Sequence, residues 1–99
     1  MSDIYILKSK PTIKVDKINT TQYRVEVNHN NNDTIHKVTL NPDIYIKISK
    51  NLVTPKKLIL ASFLFLLERE SNQSILSKFN LEIIQTYFPE YLDKIKKYF

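Results

Sequence analysis

The sequence predicts an α+β fold: a three-stranded antiparallel β-meander followed by a long buried helix and short C-terminal helices. Three observations indicate it. Residues 12–40 alternate apolar and polar side chains with the period of strands. Residues 58–67 are apolar apart from one serine, so a helix there presents apolar side chains in every direction. Helix start signals then recur towards the C-terminus. A chain of 99 residues is expected to form a single domain, 1–99, with one modest core.

The clearest strand is the segment YRVEV, residues 23–27. Its apolar side chains share one face, while Arg24 and Glu26 lie on the other. The preceding segment TIKVDKI adds Ile13 and Val15 to the same apolar face. These segments, together with TIHKVTL after them, predict the meander.

The asparagine-rich stretch between YRVEV and TIHKVTL indicates the turn of a hairpin. The chain has no glycine, so asparagine is often expected to serve where the backbone needs a positive φ. A four-residue loop over residues 30–33 places His29 opposite Thr34 and Glu26 opposite Lys37. This register places apolar side chains opposite each other on one face of the sheet. On the other face it joins opposite charges across the strands.

The segment NPDIYIKISK, residues 41–50, predicts a short helix. Asn41 can serve as the N-cap, Pro42 suits the first helical position, and Asp43 favours the positive end of the helix dipole. The isoleucine-rich content of the segment keeps a strand as the alternative.

The long helix has the strongest start signal. Thr54 is the expected N-cap, Pro55 the first helical residue, and Leu58 can pack on Val53 as a hydrophobic staple. The helix is expected to run to about Glu70. Since its apolar side chains cover every side, it must be enclosed, and any stripe left uncovered is a candidate dimer surface.

Short helices are expected after the long one. Residues 74–79, SILSKF, read as a helical connector, and Asn80 can cap LEIIQTYF. Pro89 disfavours a helix through Phe88, so a break is expected there before the final helix. The aromatic group YFPEY is expected to fix the angle at this break, with its rings packed and its tyrosine hydroxyls in water.

Residues 1–11 carry a weaker pattern. Ile4 and Ile6 alternate with Tyr5 and Leu7, so the segment is expected to be either a strand or a flexible tail that docks on a partner. It lacks the design of a secretion signal, and the longest apolar run of the chain is about half of the roughly 20 residues that cross a bilayer. With the absence of cysteine, this predicts a cytoplasmic protein without a membrane partner.

The formal charge of +5 raises a nucleic-acid partner as the alternative. The basic residues are spread along the chain, however: residues 1–50 hold eight Lys or Arg against five Asp or Glu, and residues 51–99 hold seven against five. A stacking platform would also need aromatic side chains among the basic ones. Tyr23 lies on the apolar face of the sheet, and the polar face has no aromatic residue, so binding through a basic surface is the second hypothesis.

The absence of glycine excludes glycine-rich phosphate loops, dinucleotide fingerprints and nucleophile elbows. The candidate for a metal site is the pair His29 and His36, which the predicted register places diagonally about 7–8 Å apart on one strand face, near Asp33. Because a third fixed ligand is missing, sheet and turn roles explain these side chains better. We therefore expect no bound metal and no cofactor.

Other polar side chains suit structural roles. Ser62 inside the apolar helix is expected to donate to the carbonyl one turn earlier, and no base is in view to activate it. Glu68 and Glu70 are two residues apart on a helix and do not face each other. Lys56 and Lys57 in a first turn could hold an anion, although a lysine-rich composition explains them as well. The sequence thus predicts no catalytic residues.

The second half of the chain resembles a family of small uncharacterised bacterial proteins. The segments that carry the resemblance are ASFLFLLERE and SILSKFNLEIIQTYFPEY: a helix ending in FLLERE, a SIL connector and a closing YFPEY. It covers about residues 54–91, and the strand region is similar only in general pattern. That family has no assigned activity, so the resemblance implies a bacterial domain of unknown function and no site residues.

Taken together, these observations predict a non-enzymatic protein, either a protein-interaction module or a regulatory one. The strongly apolar helix favours a protein partner or self-association as a homodimer. Nucleic-acid binding through a basic surface is the alternative.

Overall fold

One mixed β-sheet forms the first layer of the molecule. The computed structural model describes residues 10–99. The strands are β1 (Thr12–Lys17), β2 (Gln22–His29), β3 (Asn32–Thr39) and β4 (Lys78–Asn80), and they lie in the order β1-β2-β3-β4. The first three are antiparallel, and β4 pairs parallel with β3. The α+β class is confirmed, and the sheet has one strand more than the predicted meander.

The helices form the second layer. In the described part of the chain they are α1 (Pro42–Ser49), α2 (Pro55–Leu67), α3 (Ile84–Tyr87) and α4 (Tyr91–Lys94). Short 3-10 turns occupy Asn72–Ser74, Leu81–Ile83 and Ile95–Tyr98. The helix α2 ends at Leu67, three residues before the predicted end at Glu70. The expectations for residues 1–9 lie outside the described residues.

The hairpin between β2 and β3 turns on two residues. Asn30 and Asn31 both have positive φ, 54° and 66°, which is the backbone of a type I′ turn. His29 therefore pairs with Asn32 and not with Thr34. The prediction of a four-residue loop was wrong. Two asparagines tolerate the left-handed conformation well enough to close a tight turn without glycine.

This shorter turn moves the strand register by two residues. Glu26 lies opposite Ile35, so the predicted cross-strand pair with Lys37 does not form. Glu26 instead forms an ion pair with Arg24 on its own strand. A shift of two residues keeps every side chain on its face, because side chains alternate with a period of two. The predicted division into an apolar and a polar face is therefore confirmed.

The two predicted helix starts differ in how they are capped. The side chain of Thr54 accepts a hydrogen bond from the Lys57 N–H at 3.2 Å, as predicted. Asn41 has the extended backbone of an N-cap but makes no side-chain capping bond. Even so, residues 42–49 form a helix rather than the alternative strand, and Lys50 ends it in the left-handed region.

The helix α2 packs against the apolar face of the sheet and is enclosed on most sides. Its buried side chains are Leu58, Ile59, Ala61, Ser62, Phe63, Phe65 and Leu66. Leu60, Leu64 and Leu67 are half-buried. The helix is thus enclosed on most sides, and the stripe of Leu60, Leu64 and Leu67 is the part that stays partly open.

The connector after α2 differs from the prediction. Residues 74–79 were expected to be helical, but Lys78–Asn80 forms the edge strand β4. The Lys37 N–H donates to the Ser77 carbonyl oxygen at 2.8 Å, and Phe79 turns inwards and is buried. A strand of three residues is too short to show an alternating pattern, so tertiary contacts decide its conformation.

The helix ends before Pro89, as predicted. The last residue of α3 is Tyr87, and Phe88 has the non-helical backbone of φ −132° and ψ 88°. The two tyrosines on either side of Pro89 differ in burial. Tyr87 is largely exposed, whereas Tyr91 is fully buried, with its hydroxyl 2.6 Å from Ser62 Oγ. The expectation of a wet hydroxyl was wrong for Tyr91, because a serine inside α2 supplies the hydrogen-bond partner that water was expected to supply.

Candidate functional site

An open, largely apolar groove lies where the C-terminal end of α2 meets residues 74–79 and α3. Its volume is about 310 Å³, at the small end of the range for ligand pockets. We call it the α2–α3 groove. It is lined by Leu66, Glu70, Ser74, Ile75, Leu76, Phe79, Ile83, Ile84, Tyr87 and Phe88. A groove of this size accepts one or two bulky apolar side chains.

The groove has a buried floor and an exposed rim. Leu66 and Ile84 in the floor belong to the hydrophobic core. Two rim residues remain in water: Leu76 is 47% exposed and Tyr87 is 63% exposed. Scattered exposed apolar residues are normal, but two of them beside an apolar depression form the arrangement that marks interaction sites.

One wall of the groove is attached to the sheet by a hydrogen-bond network around His36. Its Nδ1 lies 2.8 Å from the Leu76 carbonyl oxygen. A carbonyl can only accept, so Nδ1 carries the proton, and Nε2 accepts from the Thr34 hydroxyl at 2.9 Å. Asn72 Nδ2 donates to Thr34 Oγ1 and to the Asn32 carbonyl oxygen, both at 3.0 Å. Residues 72–76 are therefore fastened to β3 at two points.

Aromatic packing continues this support into the groove. The His36 ring lies 5.2 Å from the Phe63 ring, and Phe63 lies 6.1 Å from Phe79, which lines the groove. Burial lowers the pKa of His36, although its hydrogen bond to the Leu76 carbonyl acts in the opposite direction. The imidazole is therefore a neutral structural group at neutral pH.

The C-terminal end of α2 is fixed by Arg69. Its guanidinium lies over the Phe65 ring, 3.6 Å from the centroid, a cation–π contact. Its Nε donates to Glu90 Oε2 at 3.0 Å, and its NH1 donates to the Phe65 carbonyl oxygen at 2.9 Å. Phe65 also packs edge-on against Phe88 and Tyr91. These contacts hold the segment around Pro89 against the end of α2 and so fix the second wall.

Among the described residues 10–99, Glu70 is the one carboxylate in the groove lining. It is half-buried, and desolvation raises the pKa of its carboxyl group. Within residues 10–99 no lysine or arginine forms an ion pair with Glu70. A cation brought by a ligand would stabilise the ionised form, because opposite charge favours ionisation of a desolvated carboxylate.

The predicted histidine pair does not form a site. The observed register places His29 opposite Asn32 and His36 opposite Val25, four residues apart along the strands, so the diagonal contact is wrong. Both ring nitrogens of His36 are already hydrogen-bonded, and Asp33 accepts from Asn28. Over the described residues, no group of three or more His, Asp or Glu stands close enough to hold a metal ion.

The other polar side chains considered as candidates make structural contacts or lie away from the groove. Ser62 Oγ donates to the Leu58 carbonyl oxygen at 2.8 Å, which confirms the predicted back-bond. Glu68 contacts Arg69 and the Tyr98 hydroxyl, away from the groove. Lys56 and Lys57 lie at the opposite end of α2 from the groove.

The polar face of the sheet is open to solvent and of mixed charge. One cross-strand row joins Asp16, Arg24, Lys37 and Lys78, and Glu26 pairs with Arg24. As predicted, the described strands place no aromatic side chain on this face, so it offers no surface on which bases can stack.

The α2–α3 groove could not be found by sequence reasoning, because its lining comes from three separate segments. The local signal was the spacing of Ile83 and Tyr87, which lie four residues apart and so share a helix face. That signal pointed to a helix but not to the depression beside it.

No family model, no curated protein and no solved structure matches this chain. The resemblance of residues 54–91 to small uncharacterised bacterial proteins therefore stays a prediction. In the described part of the chain, no helix has the length and apolar content needed to span a bilayer.

Proposed function

We propose that this protein is a non-enzymatic interaction module that binds a short segment of a partner protein in the α2–α3 groove. The observation that carries the proposal is the open apolar depression with a buried floor and with Leu76 and Tyr87 exposed at its rim. One or two apolar side chains of a partner would fill the depression, and such central anchors supply most of the affinity in protein interfaces.

The chemistry of the lining also indicates what accompanies those anchors. Glu70 is the charged group among the described residues that line the groove, and its partial burial raises the pKa of its carboxyl group. A lysine or arginine next to the apolar anchor would pair with this carboxylate. We therefore propose that the partner segment combines aromatic or aliphatic side chains with a basic residue.

The polar side chains of the groove support a binding role over a catalytic one. The Ser74 hydroxyl is the candidate nucleophile in the lining. Its Oγ lies 3.2 Å from Ser71 Oγ, which cannot act as a base. In the part of the lining that the structure describes, Glu70 has no second carboxylate or histidine beside it to share acid–base work.

Selection from a random peptide display library would test the proposal. The bait is the wild-type chain, and each round is counter-selected against the variant Leu76→Glu, which places a charge at the rim. We expect enriched peptides that join apolar anchors to Lys or Arg. Ile35→Glu is the matched control, because Ile35 is 55% exposed on the opposite face of the sheet and its variant should retain binding. Failure to enrich any such peptide over the Leu76→Glu variant would contradict the proposal.

A second copy of the chain is one partner that could fill the groove, and the predicted homodimer would then form through it. Light scattering across a concentration series decides whether it does. A dimer that dissociates in Leu76→Glu and persists in Ile35→Glu would identify the partner as a second copy, and a monomer at every concentration would leave a different protein as the partner.

A further inference from the structure

A second surface of the protein lies at the opposite end of α2 from the groove. The end of α1 and the start of α2 meet in a tight connector, and we call residues 46–57 the α1–α2 corner. Two aliphatic side chains project from it into water: Ile46 is 51% exposed and Leu52 is 62% exposed. Nothing in the core requires them to be apolar at these positions.

Four lysines lie close to these two side chains in the sequence. Lys47, Lys50 and Lys56 are exposed, and Lys57 is half-buried. Across residues 42–57 the sole opposing charge is Asp43, which lies in the first turn of α1, away from the corner. None of the four lysines forms an ion pair within the described residues 10–99. The corner therefore carries a surplus of positive charge together with two exposed apolar side chains.

The backbone at the turn of the corner is held by internal hydrogen bonds. Lys50 and Asn51 adopt positive φ, 52° and 60°. The Lys50 N–H donates to the Ile46 carbonyl oxygen at 2.8 Å, and the Leu52 N–H to the Ser49 carbonyl oxygen at 3.0 Å. The Asn51 N–H donates to Ser49 Oγ at 3.0 Å. Backbone donors that are already paired can enter a water-poor layer without loss.

The connector is also tied to α1 from the side. The Tyr45 hydroxyl donates to the Val53 carbonyl oxygen at 2.6 Å. Leu52 is thus presented on a fixed turn, so little conformational freedom is lost when it binds.

From these features we infer that the α1–α2 corner docks on an anionic lipid surface, with Leu52 and Ile46 entering the interface and the lysines contacting headgroup phosphates. Exposed apolar side chains accompanied by lysines are the combination that peripheral membrane binding uses, and no spanning helix is needed. A nucleic-acid surface fits less well, because the corner presents no arginine and no exposed aromatic side chain for base contacts. This inference does not depend on the groove.

A tryptophan at position 52 would report docking directly. The chain contains no tryptophan, so Leu52→Trp introduces a single indole at the tip of the corner. Vesicles of phosphatidylcholine with about one third phosphatidylserine supply the anionic surface. We expect a blue shift of the emission with these vesicles and none with phosphatidylcholine alone. Leu76→Trp, at the groove rim, is the matched control and should show no shift.

Vesicle co-sedimentation would measure what each part of the corner contributes. Lys47→Gln and Lys50→Gln should each lower partitioning by about five-fold, and Leu52→Ser by about ten-fold. Lys96→Gln, an exposed lysine near the C-terminus, should leave it unchanged. Circular dichroism would check that each variant is folded. We expect that it is, because the substituted side chains are exposed.

The same variants distinguish lipid from nucleic acid. Fluorescent single-stranded and duplex oligonucleotides are titrated at low salt against the wild-type chain, Lys47→Gln, Lys50→Gln and Leu52→Ser. Oligonucleotide binding that needs the lysines but not Leu52, without anionic vesicle binding, would overturn the inference in favour of a nucleic-acid surface. Binding to neither surface, or an equal blue shift in Leu52→Trp and Leu76→Trp, would also overturn it.

Discussion

The imidazole Nδ1 of His36 donates a hydrogen bond of 2.8 Å to the carbonyl oxygen of Leu76, forty residues further along the chain. This contact joins the third strand of the sheet to the rim of the α2–α3 groove. The shape of the groove therefore depends on a buried, neutral histidine in β3, and the protonation of that histidine couples pH to the wall of the proposed binding site.

The first prediction concerns acid stability. Burial lowers the pKa of His36 in the folded chain below its usual value of about 6.5. Between the two values the unfolded chain binds the proton and the folded chain does not, so stability is complete above about pH 6.5 and falls as the pH drops below it. Urea unfolding between about pH 7.5 and pH 5.5 should show the loss.

Variants separate this effect from general acid sensitivity. His36→Gln should flatten the dependence on pH in that window and cost about 1–3 kcal/mol at neutral pH, because a buried hydrogen bond is disturbed. His29→Gln removes an imidazole without touching the contact with Leu76 and should keep the wild-type dependence. An unchanged slope in His36→Gln would contradict the assignment.

The second prediction concerns the hydroxyl pair inside the core. Ser62 Oγ and the Tyr91 hydroxyl lie 2.6 Å apart, and burial raises the pKa of Tyr91, so its hydroxyl stays protonated. Ser62→Ala leaves the buried tyrosine hydroxyl without its partner and should cost about 1–3 kcal/mol of unfolding free energy. Adding Tyr91→Phe to Ser62→Ala should recover part of that cost.

A double-mutant cycle in urea measures this coupling. If the double variant loses as much as the two single variants combined, the two hydroxyls do not interact in the folded protein.

The third prediction compares the two helix caps. Thr54→Ala should lower the unfolding free energy by about 1 kcal/mol, because its side chain accepts from the Lys57 N–H. Asn41→Ala should cost distinctly less, since Asn41 makes no capping bond. Thermal unfolding of both variants provides the comparison, and equal losses would show that the bond at Thr54 has no special effect.

The fourth prediction tests the two-residue turn of the hairpin. Asn31 has a φ of 66°, in the region where glycine carries no steric cost. Asn31→Gly should therefore stabilise the chain by up to about 1 kcal/mol, and Asn31→Ala should destabilise it by about 1 kcal/mol. A gain of stability in Asn31→Ala would indicate that residue 31 lies in the longer loop that the sequence suggested.

The fifth prediction concerns charge in the groove. Glu70→Gln should weaken the binding of a selected lysine-containing peptide by up to about five-fold, the usual range for a partly exposed ion pair. Glu68→Gln is the control, since Glu68 lies outside the groove lining. Isothermal titration measures both, and equal affinities of Glu70→Gln and the wild type would exclude the proposed contact with a basic residue.

The faces of the sheet and the enclosure of α2 could be predicted because each follows from periodicity alone. Val25 and Val27 remain on the apolar face in either register, and α2 is apolar in every direction whatever covers it. The register itself could not be predicted, because a run of asparagines closes a two-residue turn as readily as a four-residue one.

The groove and β4 depend on contacts between distant segments. Phe79 is buried because β4 lies beside β3, and no local pattern in three residues reveals that pairing. Leu66, Leu76 and Tyr87 meet only once the chain is folded. The hydroxyl partner of Tyr91 was missed for the same reason, since Ser62 lies 29 residues away in the chain.

The most direct test of the account is a methyl NMR titration of the wild-type chain with a peptide selected from the library. The α2–α3 groove contains the methyl groups of Ile75, Ile83 and Ile84, whereas Ile35 and Ile46 lie on other surfaces. We predict saturable shift changes confined to the three groove isoleucines. Changes centred on Ile35 or Ile46, with the groove methyl groups unmoved, would contradict the claim that this groove is the binding site.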